Sequence, residues 1–181
     1  MKRASLLNLL HTYTPTEQEQ EFKKIIIDFV HTNPDCFERL LAIGHITASA
    51  WLLNKDRSQA LLMHHAKLNR WFQLGGHCDG NADVLAVAVK EAQEESGIMA
   101  IKPISPAIFD IDVHLIPANP LEQKHYHYDI RFLLGIMSNE TVVQNGESKE
   151  LRWIGKDKKE LPTDEISVTR MFNKWVNHKG I

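Results

Sequence analysis

Apolar positions follow a helical period near the start of the chain. Leucines recur at helical spacing within the first dozen residues and predict a short amphipathic helix. Residues 14–17 predict a capping box that begins a second helix, with Pro15 at the first helical position. Asn33-Pro34 ends this helix, because proline disfavours helical geometry in the residue before it. Residues 1–42 are therefore predicted to form a helical extension.

The pattern changes beyond this extension, where short apolar runs alternate with polar turns. The strand-like runs are residues 46–53, 60–63, 108–115, 127–137 and 151–154. Glycines at 75–76 predict a loop, and residues 83–96 predict a helix that ends at Gly97. A closing helix is predicted around Met171. Strands mixed with helices predict one α/β sandwich domain over residues 43–181.

Composition and charge narrow the function classes. The chain has 181 residues, 43% of them hydrophobic, which is enough for one packed core. Its 21 basic and 23 acidic side chains are nearly balanced, so we expect no basic face for a nucleic acid or a membrane surface. No apolar stretch approaches the roughly 20 residues that span a bilayer. Two cysteines cannot form a disulfide framework, so we expect a reducing compartment, the cytoplasm.

Three glutamates stand on one face of the predicted helix at 83–96. Glu91, Glu94 and Glu95 have i, i+3 and i+4 spacing, which projects their carboxylates together. Alone, this spacing is more typical of a solvated acidic face. The glycine-rich loop before the helix changes that interpretation, because a loop without bulky side chains lets a carbonyl and a phosphate approach a metal ion. Hard divalent cations prefer such clustered oxygen ligands.

With its glycine-rich loop, this helix resembles the signature of the Nudix hydrolase family. That signature is G-x5-E-x7-R-E-U-x-E-E-x-G-U, where U is a bulky apolar residue, and residues 76–98 match its spacing without a gap. Ala82 replaces the first glutamate and Lys90 replaces the arginine. Because both members of a charge pair are changed, no orphaned charge remains, and we expect a working variant. A looser resemblance over residues 44–154 implies an α/β/α sandwich with a mixed sheet.

The resemblance also implies roles for individual residues. Glu94 and Glu95 would be the main ligands of Mg²⁺ or Mn²⁺, and Glu91 would share that site or help to activate water. The carbonyl of Gly75 would be an additional ligand. The reaction would be in-line attack of water on one phosphorus of a diphosphate. Some family members take a general base from a later loop, for which Glu147 and Glu150 are candidates, although such loop glutamates are usually just solvated.

A strand near residue 130 has an unusual polar face. Its polar positions are His125, His127, Asp129 and Arg131, and they alternate with Tyr126, Tyr128, Ile130 and Phe132. The polar set is a candidate substrate-binding face, with Arg131 suited to a bidentate phosphate contact. A solvent-facing strand surface is the alternative. Because the chain has no Cys-x-x-Cys and no tight ligand spacing, a structural zinc site is the weaker interpretation. Trp71, just before the glycines, could stack on a base or pack in the core.

These observations predict a Mg²⁺-dependent pyrophosphohydrolase. Its substrate would be a small molecule with a phosphoanhydride, a nucleoside diphosphate linked to another moiety. One alternative resembles the isopentenyl-diphosphate isomerases, whose catalytic cysteine would have to be Cys78. The other alternative is a nucleotide-binding module without activity, against which the intact glutamates argue. The N-terminal extension could serve as a lid, as a homodimer contact or as packing.

Overall fold

The computed structural model describes residues 2–118 and 123–180, which form a mixed sheet covered by helices. The strands are β1 (Gly44–Leu53), β2 (Ala60–His65), β3 (Trp71–Phe72), β4 (Leu74–His77), β5 (Ile101–Ile116), β6 (His125–Ile136) and β7 (Ser148–Ile154). The helices are α1 (Arg3–Thr12), α2 (Gln20–Thr32), α3 (Val84–Ser96) and α4 (Ile166–Val176).

The sheet runs in the order β3-β2-β1-β6-β5, with β4 paired to β1 and β7 paired to β2. Strands β1 and β6 are parallel, and the other pairs are antiparallel. The predicted α/β class with a mixed sheet, preceded by N-terminal helices, is therefore confirmed.

Alternate side chains of the sheet enter two cores, one on each face. Ala48, Ala50 and Leu52 of β1 join the core that also contains the buried residues of α1, α2 and α3. Trp51 and Leu53, their neighbours in sequence, join the core beneath α4. The layering is therefore helix, sheet, helix, with α1, α2 and α3 on one face of the sheet and α4 on the other.

The second helix begins later than the sequence pattern predicts. A 3₁₀ turn at Glu17–Glu19 precedes α2. Thr16 is the N-cap, and both its backbone N–H and its hydroxyl donate to the carboxylate of Glu19. The cap proposed at residues 14–17, with Pro15 as the first helical residue, is wrong, because the glutamate that completes the box is Glu19.

The glycine pair, predicted to lie in a loop, belongs to strand β4. Gly75 lies opposite Ser49 of β1. A Cβ atom at Gly75 would lie 2.3 Å from the Ser49 hydroxyl oxygen, so only glycine allows the strands to approach this closely at that position. The strand places the backbone of Gly75 and Gly76 beside helix α3.

The N-terminal extension packs against the rest of the chain. Phe29 of α2 stacks on Tyr128 of β6 with ring centroids 3.8 Å apart. Glu19 is fully buried and accepts bonds from Tyr13, from Lys174 of α4 and from the backbone N–H of Ile111 on β5. None of the helices within residues 2–118 and 123–180 has the length and apolar character that a bilayer crossing requires.

Candidate active site

Helix α3 is positioned by a cap at each end. The Asp83 carboxylate accepts a bond of 3.0 Å from the backbone N–H of Ala86. Gly97 ends the helix in the left-handed conformation, with φ of 72°, as the sequence predicts. Between these caps the three glutamates share one face of the helix.

The three carboxylates lie at graded depths. Glu95 is buried, with 4% of its surface exposed. The side chain of Glu91 is 17% exposed and that of Glu94 is 57% exposed. The helix face therefore runs from the protein interior to solvent, as required of a site that holds an ion and admits a ligand.

Glu95 is anchored to strand β4. Its Oε2 accepts a bond of 2.8 Å from the backbone N–H of Gly75. Burial raises the pKa of Glu95 to about 8, and the negative charges of Glu91, Glu147 and Glu94 act in the same direction. A carboxyl with this pKa resists ionisation near neutral pH until a cation offsets the charge.

Glu91 fills the space left by a missing side chain. A Cβ atom at Gly76 would lie 2.4 Å from Oε2 of Glu91. Burial raises the pKa of Glu91 as well, and the charges of Glu94 and Glu147 add to this effect. The ammonium of Lys90 lies 3.0 Å from Glu91 and 2.9 Å from Glu94, and it neutralises part of the acidic charge. Lys90 thus interacts with the outer two glutamates from the position of the signature arginine.

The loop after β6 closes over the end of α3. The backbone N–H of Val143 donates to the carbonyl of Ser96 over 2.8 Å, and the Asn145 side chain donates to the carbonyl of Glu94 over 3.3 Å. These bonds hold Glu147 close enough for its charge to raise the pKa of Glu91 and Glu95. Glu150, the other candidate base, instead forms a 2.7 Å ion pair with Arg152 on β7.

The polar face of β6 divides into an ionic half, with Asp129 and Arg131, and a histidine half, with His125 and His127. Arg131 is 1% exposed, and its guanidinium contacts Asp129 at 2.7 Å, Asp110 at 3.0 Å and Asp112 at 3.4 Å. Arg170 of α4 joins the same network through Asp110 and Asp112. In this structure Arg131 and Asp129 face carboxylates and hydroxyls of the interior, so neither side chain lies open to a phosphate.

The histidine half of this face lies beside further histidines from neighbouring strands. His125 and His127 of β6 lie beside His45 of β1, with ring centroids 5.0 and 4.8 Å away. His77 of β4 is also 5.0 Å from His45, and His114 of β5 is 5.5 Å from His127. Sequence reasoning missed His45 in this group. The available indication was the alternation of polar and apolar residues along residues 45–50.

Trp71 already has close neighbours. Its ring stacks on His64 with centroids 5.0 Å apart and an interplanar angle of 11°. The guanidinium carbon of Arg152 lies 4.6 Å from the ring centroid. Trp71 is half-buried at the edge of the second core, so its proposed stacking on a substrate would have to coexist with these contacts.

The chain is similar to a family model, to a related protein and to solved structures. Residues 44–174 match the family model of the NUDIX domain. A protein described as a probable DHNTP pyrophosphohydrolase from Lactococcus lactis subsp. cremoris is 25% identical over 178 residues, 97% of this chain and 98% of that protein.

Among solved structures, a hydrolase of the NUDIX family from Clostridium perfringens has a TM-score of 0.56 at 24% identity, over 72% of this chain and 95% of that chain. A UDP-X diphosphatase has a TM-score of 0.53 at 13% identity, over 97% of this chain and 91% of that chain. The fold similarity to the diphosphatase thus includes the N-terminal extension.

Proposed function

The chain belongs to the Nudix family and is a Nudix-type hydrolase of phosphoanhydrides, and from this premise we propose that it is a Mg²⁺-dependent pyrophosphohydrolase, with Mn²⁺ as a substitute. The observation that carries the proposal is the graded glutamate face of α3. Two of its three carboxyls have raised pKa values, because burial and mutual repulsion disfavour their charged forms. A divalent cation would relieve both effects, and carboxylate oxygens are the ligands that Mg²⁺ prefers.

We assign the ion to Glu94 and Glu95, with Glu91 and the carbonyl of Gly75 as further ligands. When bound, the ion supplies charge neutralisation at the attacking and leaving oxygens of the phosphoanhydride. Glu95 is oriented for this role by the N–H of Gly75, 2.8 Å from its Oε2. The backbone of β4 therefore fixes the deepest ligand before any substrate arrives.

A general base must accept the proton of the attacking water. We propose Glu147, because its loop is held against α3 and its charge acts on Glu91 and Glu95. It is exposed, so its carboxylate is accessible to a water molecule and to solvent. Glu150 is the weaker choice, since Arg152 is paired with its carboxylate.

For the substrate we propose a nucleoside diphosphate linked to another moiety. A second candidate is DHNTP, the compound named in the description of the L. lactis relative, which aligns over nearly the full length of both chains. Both candidates present a phosphoanhydride to the same glutamate face. They differ in the group attached to the phosphates and so can be separated by assay.

The isomerase alternative receives no support from the cysteine that it needs. Cys78 is 3% exposed, and burial raises the pKa of its thiol well above the usual range. A catalytic thiol requires access to the substrate, and a reactive one requires an accessible thiolate. We therefore retain hydrolysis as the proposed reaction.

The test is a panel of nucleoside diphosphate derivatives together with DHNTP, incubated with the purified chain and Mg²⁺ or Mn²⁺. Products are identified by mass, so that cleavage within the phosphate chain is distinguished from isomerisation, and the Glu95→Gln variant serves as the control. We expect at least one compound to be cleaved by the parent and not by the variant. Binding of a nucleotide without cleavage by either protein would instead support the non-catalytic module.

A further inference from the structure

Five histidines from four strands meet at one end of the sheet, and we call them the histidine cluster. Its members are His45, His77, His114, His125 and His127. The pairing of the strands produces this arrangement. His45 lies opposite His127 across the parallel pair β1–β6, and His127 lies opposite His114 across the pair β6–β5. His77 enters from β4, opposite Thr47.

Three members present ring nitrogens to a common point. One nitrogen from each of His45, His77 and His127 lies within 4.8 Å of the other two. Ligands about 2.0–2.1 Å from a tetrahedral ion lie roughly 3.4 Å apart, so small side-chain rotations bring the three nitrogens to bonding distance. Since each ring comes from a different strand, the sheet itself sets their spacing.

The three rings lie mostly inside the protein. His45 is 2% exposed, while His77 and His127 are half-buried. The cluster is therefore largely desolvated, with access to solvent from the side of His77 and His127.

Two flanking histidines are oriented by acceptors, as is typical around metal ligands. Nδ1 of His125 donates to the carbonyl of Gln123 over 2.8 Å, which turns its Nε2 toward Nε2 of His127 at 3.3 Å. Nδ1 of His114 lies 3.1 Å from the carboxylate of Asp112. These contacts restrict the rings that pack around His127.

We propose that His45, His77 and His127 form a binding site for a divalent transition-metal ion of the Zn²⁺ type, separate from the glutamate face of α3. Imidazole nitrogens suit Zn²⁺, Co²⁺ and Ni²⁺, whereas Mg²⁺ requires oxygen ligands. Three protein ligands leave a fourth position for water or for an oxygen of a bound molecule. Gly76, which precedes His77, lies against Glu91, so the two metal sites share strand β4 and are neighbours.

The test uses the full chain without a histidine tag, stripped with a chelator and titrated with Zn²⁺ in millimolar Mg²⁺. The excess of Mg²⁺ keeps Zn²⁺ from the glutamate face. A chromophoric competitor reports affinity, and Co²⁺ in place of Zn²⁺ reports coordination through its visible absorption. The variants are His77→Gln, His64→Gln and Glu94→Gln, and circular dichroism checks that each is folded.

We expect the parent to bind one Zn²⁺ per chain and His77→Gln to lose at least about 100-fold in affinity, because a ligand is removed. His64→Gln is the matched control, since His64 stacks on Trp71 outside the cluster, and it should bind as the parent does. Glu94→Gln should also bind as the parent does. If the parent takes up no Zn²⁺ in the presence of Mg²⁺, if the two histidine variants bind alike, or if Glu94→Gln abolishes uptake, the proposal is wrong. Hydrolysis is not a readout here, so the outcome is independent of the proposed reaction.

Discussion

At the scale of the residue, Glu95 shows how one fold position serves two purposes. Its carboxylate receives the N–H of Gly75 and so joins α3 to β4. It is also the deepest of the three glutamates, where the charge of a bound cation is least screened by water. Glu94, one residue earlier, is exposed and pairs with Lys90, so its contribution to stability is small. The two adjacent residues therefore differ in structural importance while sharing the proposed ligand role.

We predict that Glu94→Gln and Glu95→Gln each lower kcat by at least about 100-fold, because an amide weakens the metal clamp on the transition state. Glu21→Gln is the control, since Glu21 is exposed on α2 and forms a 3.5 Å ion pair with Lys24 at the surface. Steady-state kinetics on the substrate found in the panel measure kcat, and circular dichroism measures the fold. Activity of both variants within a few-fold of the parent would exclude the proposed site.

The raised pKa of Glu95 predicts that Mg²⁺ binding depends on pH. Its pKa of about 8 in the folded state exceeds the usual value of 4.5 for a glutamate, so the folded state without metal holds a proton at neutral pH. The contribution of the Glu95 carboxyl to the free energy of unfolding without metal is fully present below pH 4.5, and it is lost as the pH rises through 8. Because the ion binds the ionised carboxylate, its affinity should increase by about tenfold per pH unit up to pH 8.

Calorimetric titration with Mg²⁺ between pH 6 and pH 8 measures this dependence, in buffers of different ionisation enthalpy that reveal proton release. In Glu95→Gln the slope should flatten, because the titrating group is gone. An affinity of the parent that stays constant over this range would contradict the assignment of Glu95 as a ligand with a raised pKa.

Arg131 is a residue whose structural role differs from the role its sequence suggests. Its guanidinium balances three buried carboxylates, so we predict that Arg131→Ala lowers the free energy of unfolding by about 3–5 kcal/mol. Arg152→Ala is the control, since the Arg152 side chain is 46% exposed and its ion pair with Glu150 lies at the surface. Chemical unfolding measures both. If the Arg131→Ala protein were as stable as the parent but had a raised KM, the result would support the phosphate contact that the sequence predicts for Arg131.

Local spacing explains which residues could be predicted. Glu91, Glu94 and Glu95 share a face because they lie in one helix, and that follows from sequence separation alone. Arg131 has the same alternation on β6 whether it faces a ligand or the interior. Its partners Asp110 and Asp112 lie on β5 and also bind Arg170 of α4, and no sequence spacing brings these elements together.

At the scale of the element, helices were easier to predict than strands. The start and end of α3 follow from Asp83 and Gly97, which act within one helical turn. Strands β3 and β4 have two and four residues, and β4 contains two glycines, so the pattern alone favours a loop. Strand β5 begins at Ile101, before prolines that interrupt its pattern and its register with β6. Strand pairing holds these segments extended against their local preference.

The approach of β4 to α3 predicts the effect of Gly76→Ala. The added methyl would meet Oε2 of Glu91 at 2.4 Å, and the flexible glutamate side chain would move away. We therefore expect kcat to fall by about 10- to 100-fold, because a ligand is misplaced by roughly 1 Å. The thermal midpoint should change little, since no backbone atom is displaced.

Gly146→Ala is the matched control, because a Cβ atom at Gly146 meets nothing within 4 Å. It should leave both kcat and the thermal midpoint close to those of the parent. Equal kinetics for Gly76→Ala and Gly146→Ala would show that the position of Glu91 beside β4 is unimportant for the reaction.

At the scale of the whole molecule, the N-terminal extension and the sheet are joined by a buried ionic network. Glu19 from the extension and Asp110 from β5 both contact the ammonium of Lys174 on α4. Arg131 and Arg170 also bind Asp110, so the network reaches β6. The sequence separates residues 1–42 from the rest by pattern, but it carries no indication of this connection, because the partners are distant in the chain. We propose that the extension unfolds together with the sheet.

Glu19→Gln tests this coupling. Burial would raise the pKa of Glu19, but bonds from Lys174, Thr16 and Tyr13 lower it to about 2. Its stabilisation is therefore present above pH 4.5 and is lost as pH falls through 2. Removing the charge leaves Lys174 partly uncompensated, so we expect the free energy of unfolding at pH 7 to fall by about 3 kcal/mol in one cooperative transition.

Glu17→Gln is the control, since Glu17 lies exposed in the same 3₁₀ turn and should change stability by less than about 0.5 kcal/mol. Unfolding is followed by far-ultraviolet circular dichroism and by tryptophan fluorescence. The four tryptophans of the chain all lie outside the extension, so the fluorescence reports on the sheet and α4. If the extension melts with the sheet, the two signals coincide in the parent and in Glu19→Gln. In the contrary case, Glu19→Gln loses helical signal first, while its fluorescence transition keeps the midpoint of the parent. That result would show that the extension is a separate folding unit and that Glu19 stabilises only its own turn.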